Sequence, residues 1–210
     1  MVDDHALVRS TLASWFASTP DIRVVGEAAS ADAALALVYD RRPDVVLLDI
    51  DMPGLLAFEA ARTIRSRIPD SKIIFLSAFL HDHYVEQALA VEASGYLTKG
   101  EPPAALADAI RAVASGGVFF SPDVQARIVI DSRGARLANG PSTRLSTLTQ
   151  RELDVLRYLA RGMSKKQIAQ VMRLSTKTVD NHSTSLMSKL DIHDRVELAR
   201  FAIREGLAEP

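Results

Sequence analysis

Between residues 22 and 100, short apolar runs alternate with stretches of helical period. Ile22 to Gly26 reads as a strand, and Ala31 to Arg42 as a helix capped by Ser30 and halted before Pro43. Val45 to Asp49 reads as a buried strand. The alternation continues with a helix from Leu55 to Ile68, a strand from Lys72 to Ser77 and a helix from Asp82 to Ala93. A strand from Gly95 to Thr98 and a helix from Pro102 to Ala114 follow, the latter ended by Gly116-Gly117. Strands separated by helices of this length imply right-handed crossovers and a parallel sheet covered on both faces. Ligands of such sheets bind beyond the carboxyl ends of the strands.

The pattern changes after Ser121-Pro122. A weaker helix, Asp123 to Ile130, leads into residues 131–145, which are rich in Gly, Ser, Arg and Asn, lack an apolar period and read as a linker. From Thr149 the pattern is helical throughout, over 149–161, 164–172, 175–190 and 194–206, as expected of a compact helical domain. A chain of 210 residues accommodates two such domains.

Composition narrows the function classes. Zero cysteines exclude a disulfide scaffold, a cysteine-ligated zinc site and a thiol nucleophile, and suit a reducing compartment. No apolar stretch approaches the ~18 residues of a membrane span, and acids stand where a secretory leader would carry basic residues. A cytoplasmic location without a membrane partner is therefore expected. The net charge of -1 argues at first against a polyanionic partner. Its distribution reverses that inference. Residues 1–120 hold 10 Lys and Arg against 16 Asp and Glu, whereas residues 144–189 hold 9 basic side chains against 3 acidic ones. An acidic part and a basic part share the chain, an asymmetry that points to a nucleic-acid-binding end.

Polar residues collect where the strands of the first part end. Asp3 and Asp4 stand at the start, Asp49 ends VVLLD, Ser77 ends IIFLS and Lys99 follows GYLT. A parallel sheet brings these ends to one edge. Carboxylates there can hold a hard divalent cation, and cation, hydroxyl and ammonium together offset charge on a phosphoryl group. The stretches VDDHALVR (2–9), DVVLLDIDMPG (44–54), IIFLSA (73–78) and GYLTK (95–99) resemble the receiver domain of two-component response regulators over residues 1 to about 118. The resemblance implies a flavodoxin-like, five-stranded parallel sheet of order 2-1-3-4-5. It makes Asp49 the aspartate phosphorylated by a sensor histidine kinase. Mg²⁺ (or Mn²⁺) would be held by Asp4, Asp49 and the backbone carbonyl of Asp51, with Asp3 acting through a water. Lys99 and Ser77 would engage phosphoryl oxygens, and Tyr96 would be the aromatic that responds to them by filling space vacated by Ser77.

The chain departs from that pattern twice. Only Met1 and Val2 precede the acidic pair, where receivers have a full central strand. The expectation is either that several residues precede Met1 or that a short stub with some rearrangement replaces the strand. LLAFE at 55–59 also stands in place of the usual polar residue and glycine, which would shift the following loop and helix.

The stretch 148–207 resembles the LuxR-type helix-turn-helix that closes NarL/FixJ-class regulators. In LTQRE, Thr149 and Glu152 are placed for a capping box. On the helix after Ser175, the positions Val179, Ser183, Leu186 and Leu190 share one side. Lys177, Asn181, Thr184, Ser185 and Ser188 are thereby turned outward, with His182 at the flank. Hydrogen-bonding side chains on the second helix of the motif suit a major groove. Phosphate contacts are expected from Thr176, Lys177, Thr178, Lys189 and Lys165 or Lys166. The last helix carries two apolar stripes, and the expectation takes Leu198, Phe201 and Ala202 as the dimer surface of a homodimer on double-stranded promoter DNA.

The expected organisation is an α/β receiver over residues 1–118, a linker with a short helix over 119–144 and an all-α four-helix LuxR-type domain over 145–210. The function so implied is phosphorylation-controlled transcription regulation, not enzymatic turnover. A phosphatase alternative rests on VVLLDID, which also looks like the nucleophile strand of haloacid-dehalogenase-type enzymes. In those the remaining acidic ligands follow the lysine, and residues 100–140 hold no paired acids. A regulator that binds DNA without phosphorylation is the third reading.

Overall fold

The computed structural model describes residues 1–52, 57–78, 80–131, 134–137, 144–205 and 207. The chain divides into two compact units, Met1–Ala138 and Asn139–Pro210.

Four strands build the parallel sheet of the first unit: β1 Val45–Asp49, β2 Lys72–Ser77, β3 Gly95–Thr98 and β4 Phe119–Phe120, in the order β1-β2-β3-β4. Both faces are covered, which explains why β1 and β2 are almost uninterrupted apolar runs. Val46, Leu48, Ile73, Phe75 and Tyr96 face α2 (Ala31–Arg41), α3 (Ala57–Arg67) and α4 (Asp82–Ala90). Leu47, Ile74, Leu76 and Leu97 face the other way, against Phe16 of α1 (Ala6–Ala17) and the inner side of α5 (Pro103–Ala114). The Ser30 hydroxyl caps α2 by accepting from the Ala33 N–H, and Arg42 closes that helix in the left-handed conformation at φ 48°. Of the expected helix 55–68, residues 55 and 56 lie outside the described residues, as do the first two positions of LLAFE.

Of the five expected strands, the three at 45–49, 72–77 and 95–98 form, Phe119–Phe120 joins them as a strand that was not expected, and the expected first strand is reduced to one residue. Val2 bridges in parallel to Ala28 on one side and to Leu48 on the other, so the stub occupies the place of a first strand between a second and β1. Its N–H donates to Leu47 O and its carbonyl accepts from Asp49 N–H, both at 2.9 Å. The strand expected at Ile22–Gly26 does not form, because a strand is made by its neighbour and here the neighbour is a two-residue stub. Helix α1, which the polar pattern did not announce, buries only Phe16 among its own residues and leaves Leu7 exposed.

Beyond β4, the helix expected over 123–130 stops early. Helix α6 spans Pro122–Gln125, and the β-branched run Ile128-Val129-Ile130 enters an antiparallel hairpin, β5 Ile128–Asp131 with β6 Gly134–Leu137. Strand β6 lies against α4, Leu137 is buried in the same core, and Arg127 pairs with Asp82 at the start of α4.

In the second unit a 3₁₀ turn (Arg144–Thr147) precedes α7 Gln150–Ala160, α8 Lys165–Met172, α9 Thr176–Leu190 and α10 Arg195–Arg204. Each helix opens on a side-chain cap. The Thr149–Glu152 and Ser164–Gln167 pairs form capping boxes, Ser175 accepts from Thr178 N–H, and Asp194 accepts from Val196 and Glu197 N–H. Left-handed residues Arg173 and Asp191 close α8 and α9 and make the tight turns. The core includes Leu153, Leu156, Ile168, Val179, Leu186 and Leu190, together with Leu198, Phe201 and Ala202. That overturns the expected dimer surface, since Leu198, Phe201 and Ala202 are at most 3% exposed. The other stripe of α10 faces out, with Val196 66% exposed and Ile203 half-buried. Two stripes of equal period cannot be told apart by period alone; packing against α7 chose between them.

Candidate functional sites

At the carboxyl edge of the sheet, the register sets Asp49 beside Leu76 and Ser77 beside Thr98, which brings the expected group together. The Lys99 ammonium lies 2.7 Å from Asp3 Oδ2 and 2.9 Å from Asp49 Oδ2. Asp49 is wholly buried, and burial pushes its carboxyl up to about 6, against the pull of the Lys99 charge and the Asp51 N–H. Burial works against the Lys99 charge as well, but hydrogen bonds and charge from Asp3 and Asp49 hold its ammonium above the usual range. Asp3 is also buried, accepts from the His5 N–H at 2.8 Å, and is held from behind by Arg9, whose guanidinium donates to its carbonyl at 2.6 Å.

Ligand atoms of Asp3, Asp4, His5 and Asp49 all lie within 4.8 Å of one another. Three carboxylates at such range suit a small, hard cation with oxygen preference, and an imidazole is compatible with Mn²⁺. His5 was not singled out by sequence. Its Nδ1 sits 2.9 Å from Asp4 Oδ1, a contact that depends on how the chain turns after the stub.

Asp51 contributes in an unforeseen way. Its N–H donates to Asp49 Oδ1 at 3.1 Å, while its carboxylate accepts from the Ser77 hydroxyl at 3.3 Å and from the Ala78 N–H at 3.4 Å. The two donors closest in kind to those a phosphoryl oxygen needs are thus directed to a carboxylate of the chain itself. Tyr96 is fully buried among the core residues behind the site.

In the second unit, α9 presents Thr176, Lys177, Asn181, Thr184 and Ser188 to solvent, as its period implies, and Lys166 of α8 is exposed as well. Thr178 and His182 are half-buried, and the Thr178 hydroxyl is 2.7 Å from that of Ser175. Three further expected contacts have prior engagements. Glu152, buried at the start of α7, accepts from Ser185 Oγ at 2.6 Å and pairs with Lys189 Nζ at 2.6 Å. Burial works against the Glu152 charge, yet Lys189, Ser185 and Thr149 hold its carboxyl down at about 2. Lys165 is ion-paired with Asp180. Ser185 and Lys189 thus tie α9 to the start of α7, and Lys165 ties α8 to α9, interactions that DNA phosphates would have to compete with.

Comparison with known proteins agrees with this division. Residues 1–111 match the response regulator receiver domain, and residues 146–202 match the bacterial regulatory proteins of the luxR family. The chain is 35% identical over 209 residues to the transcriptional regulatory protein LiaR of Bacillus subtilis, covering 99% of this chain and 97% of that one. It is 32% identical over 208 residues to the response regulator VraR of Staphylococcus aureus, covering 99% and 97%. A LuxR-family two-component response regulator from Aurantimonas is similar at 35% identity and a TM-score of 0.57, over 60% of this chain and 89% of that one. RcsB of Salmonella enterica serovar Typhimurium, bound to promoter rprA in the presence of the phosphomimetic BeF3-, shares the fold at 21% identity and a TM-score of 0.65, over 95% of each chain. An acidic sheet edge around a buried aspartate, joined in one chain to a capped helix-turn-helix, is thereby placed: the chain belongs to the response regulators, a transcription regulator and not an enzyme, with a receiver domain followed by a LuxR-type DNA-binding domain.

Proposed function

We propose that Asp49 accepts a phosphoryl group from a phosphohistidine of a sensor histidine kinase and that this event controls binding of the second unit to promoter DNA. The observation that carries the proposal is the buried Asp49 carboxylate beside the Lys99 ammonium, at the one sheet edge where Asp3 and Asp4 also lie. An Asp49 oxygen forms the new O–P bond as the N–P bond of the donor breaks, leaving an acyl phosphate and a neutral imidazole after protonation. Lys99 releases part of its hold on Asp49 and pairs with a phosphoryl oxygen. Ser77 donates to another once Asp51 gives up its hydroxyl, and Tyr96 takes up the space behind Ser77. Asp4, Asp49 and the Asp51 carbonyl would hold Mg²⁺ or Mn²⁺, with Asp3 joined through water, and that cation supplies charge neutralisation to the transferring group. On the second unit, Lys177, Asn181, Thr184 and Ser188 face the major groove, His182 flanks it, and Thr176, Thr178 and Lys166 sit at phosphates. A homodimer on paired half-sites would meet through the outward stripe of α10 around Val196 and Ile203.

Incubation with a small phosphoryl donor and Mg²⁺ tests this reading. One acid-stable, base-labile label per chain is expected, absent from Asp49→Asn, together with tighter binding to promoter DNA. Label that persists in Asp49→Asn, repeated turnover of the donor, or DNA affinity that ignores phosphorylation overturns it; the last outcome alone would favour DNA binding independent of phosphorylation.

A further inference from the structure

Helix α9 is pinned at several points along its length. Ser175 caps its start, Lys165 of α8 pairs with Asp180, and Glu152 at the start of α7 holds Ser185 and Lys189. Val179, Ser183, Leu186 and Leu190 are buried beneath it. At ~100° per residue, Lys177, Asn181, Thr184 and Ser188 fall along one line on the opposite side, and all four are exposed. Asn181 points almost directly away from the buried row. Among the described residues, none holds its amide in a hydrogen bond, whereas Asp180, Ser185 and Lys189 are tied to α8 or α7 and Thr178 to Ser175. Asparagine is a poor helix former at an exposed interior position, and here no local contact offsets that weakness.

We infer that Asn181 reads an adenine in the operator DNA and is the main source of base discrimination on α9. The inference rests on α9 lying in the major groove. Of the four outward side chains, Asn181 alone sets an acceptor and a donor side by side, the carbonyl oxygen and the NH₂ of its amide. On the floor of the groove only adenine presents the matching pair, an N7 acceptor beside an N6–H donor. Guanine offers two acceptors, and thymine and cytosine one polar group each. The amide can turn over to suit its partner without losing a hydrogen bond to any described residue. Lys177 is a donor only and is satisfied by guanine or by phosphate. The Thr184 and Ser188 hydroxyls donate and accept alike, so none of these three discriminates as sharply. Pairing through two hydrogen bonds needs a fixed origin, and the pinning of α9 supplies it. Asp180 is tied to α8 directly before Asn181, and Ser185 is tied to α7 one turn after it.

The test is selection by the full chain, incubated with acetyl phosphate and Mg²⁺, from duplexes with a randomised centre. Selected sites should share an adenine, and Asn181→Ala should lose the preference at that base pair alone. On one selected duplex, an adenine analogue with carbon in place of N7 removes only that acceptor. Wild-type affinity should fall several-fold with the analogue and roughly tenfold or more when A·T is exchanged for G·C. Asn181→Ala should respond to neither change. Alanine is the better helix former, so the melting temperature of the variant should be unchanged or higher, which separates lost reading from misfolding. An unaltered preference in Asn181→Ala, a loss spread evenly over the site, or a response to the analogue that persists in the variant overturns the inference and leaves the DNA-binding reading intact. Wild-type binding without any base preference overturns both.

Discussion

Asp49 carries two opposed demands that can be measured separately. As a phosphoryl acceptor it must be ionised, yet burial raises its carboxyl to about 6. For an acid whose affinity for the proton is higher in the fold than in the unfolded chain, the associated stability is full below the ordinary carboxylate range. It is lost as pH rises from about 4 through about 6. Asp49→Asn removes that loss. Urea titrations without divalent cation should find the variant more stable by about 1 kcal/mol at pH 4.5 and by about 3 kcal/mol at pH 8; a gain that is the same at both pH values contradicts the account. Asp51 poses a different question, because its carboxylate now takes the Ser77 hydroxyl and the Ala78 N–H. Asp51→Ala should free both donors for the phosphoryl group. With a net hydrogen bond at about 1 kcal/mol, a roughly fivefold longer lifetime of the phosphorylated protein is expected, read by loss of label over time. An unchanged or shorter lifetime would mean that Asp51 does not compete for these donors. Neither effect was legible in the sequence: the acids and Ser77 follow apolar runs and are easily found, but which carboxylate faces which donor depends on a loop geometry that no period encodes.

At the level of elements, what could be read was whatever repeats. Strands β1, β2 and β3 and helices α2, α5 and α7 to α10 follow from period and caps, and agree with the expected ranges to within a few residues. What could not be read depended on partners. Ile22–Gly26 has strand composition and no strand neighbour, the run Ile128-Val129-Ile130 finds one in β6, and the α10 stripes were decided by α7. The same holds for Glu152. Its capping box was visible as LTQRE, but its tie to Ser185 and Lys189 joins the start of α7 to the far end of α9 across more than thirty residues of sequence. That tie makes an element-scale prediction. A carboxyl held at about 2 stabilises the fold above the usual carboxylate range, and the contribution disappears as pH falls from about 4.5 to about 2. Glu152→Gln leaves Lys189 without its charge partner beside a buried amide. With Lys189 about a third exposed, it should cost about 1 to 2 kcal/mol at pH 7 and flatten the acid limb of the unfolding curve for the second unit. If near-neutral stability is unaffected, the pair contributes nothing beyond the helix cap.

Over the whole molecule, the near-zero net charge is the sum of an acidic part built around the sheet edge at Asp49 and a basic part built around α8 and α9. Total charge is therefore no guide to DNA affinity, and neither is a count of the basic residues. Lys165 is paired with Asp180 and Lys189 with Glu152, so part of the positive charge is already neutralised within the second unit. Binding to DNA releases counterions in proportion to the phosphates that are newly neutralised, and the slope of log affinity against log salt counts them. Lys177, exposed on the first turn of α9, should behave as a full contact, so Lys177→Ala is expected to weaken binding and lower the slope by about 1. Lys165→Ala should change both much less. The reciprocal substitution is the more telling one: Asp180→Asn removes a negative charge from α9 and releases Lys165, so affinity should rise several-fold at low salt and the slope should steepen by up to about 1. Fluorescence anisotropy with one promoter fragment across a salt series reads all three. A wild-type slope equal to that of Asp180→Asn would mean that the ion pair opens on DNA and that Lys165 is, after all, a phosphate contact.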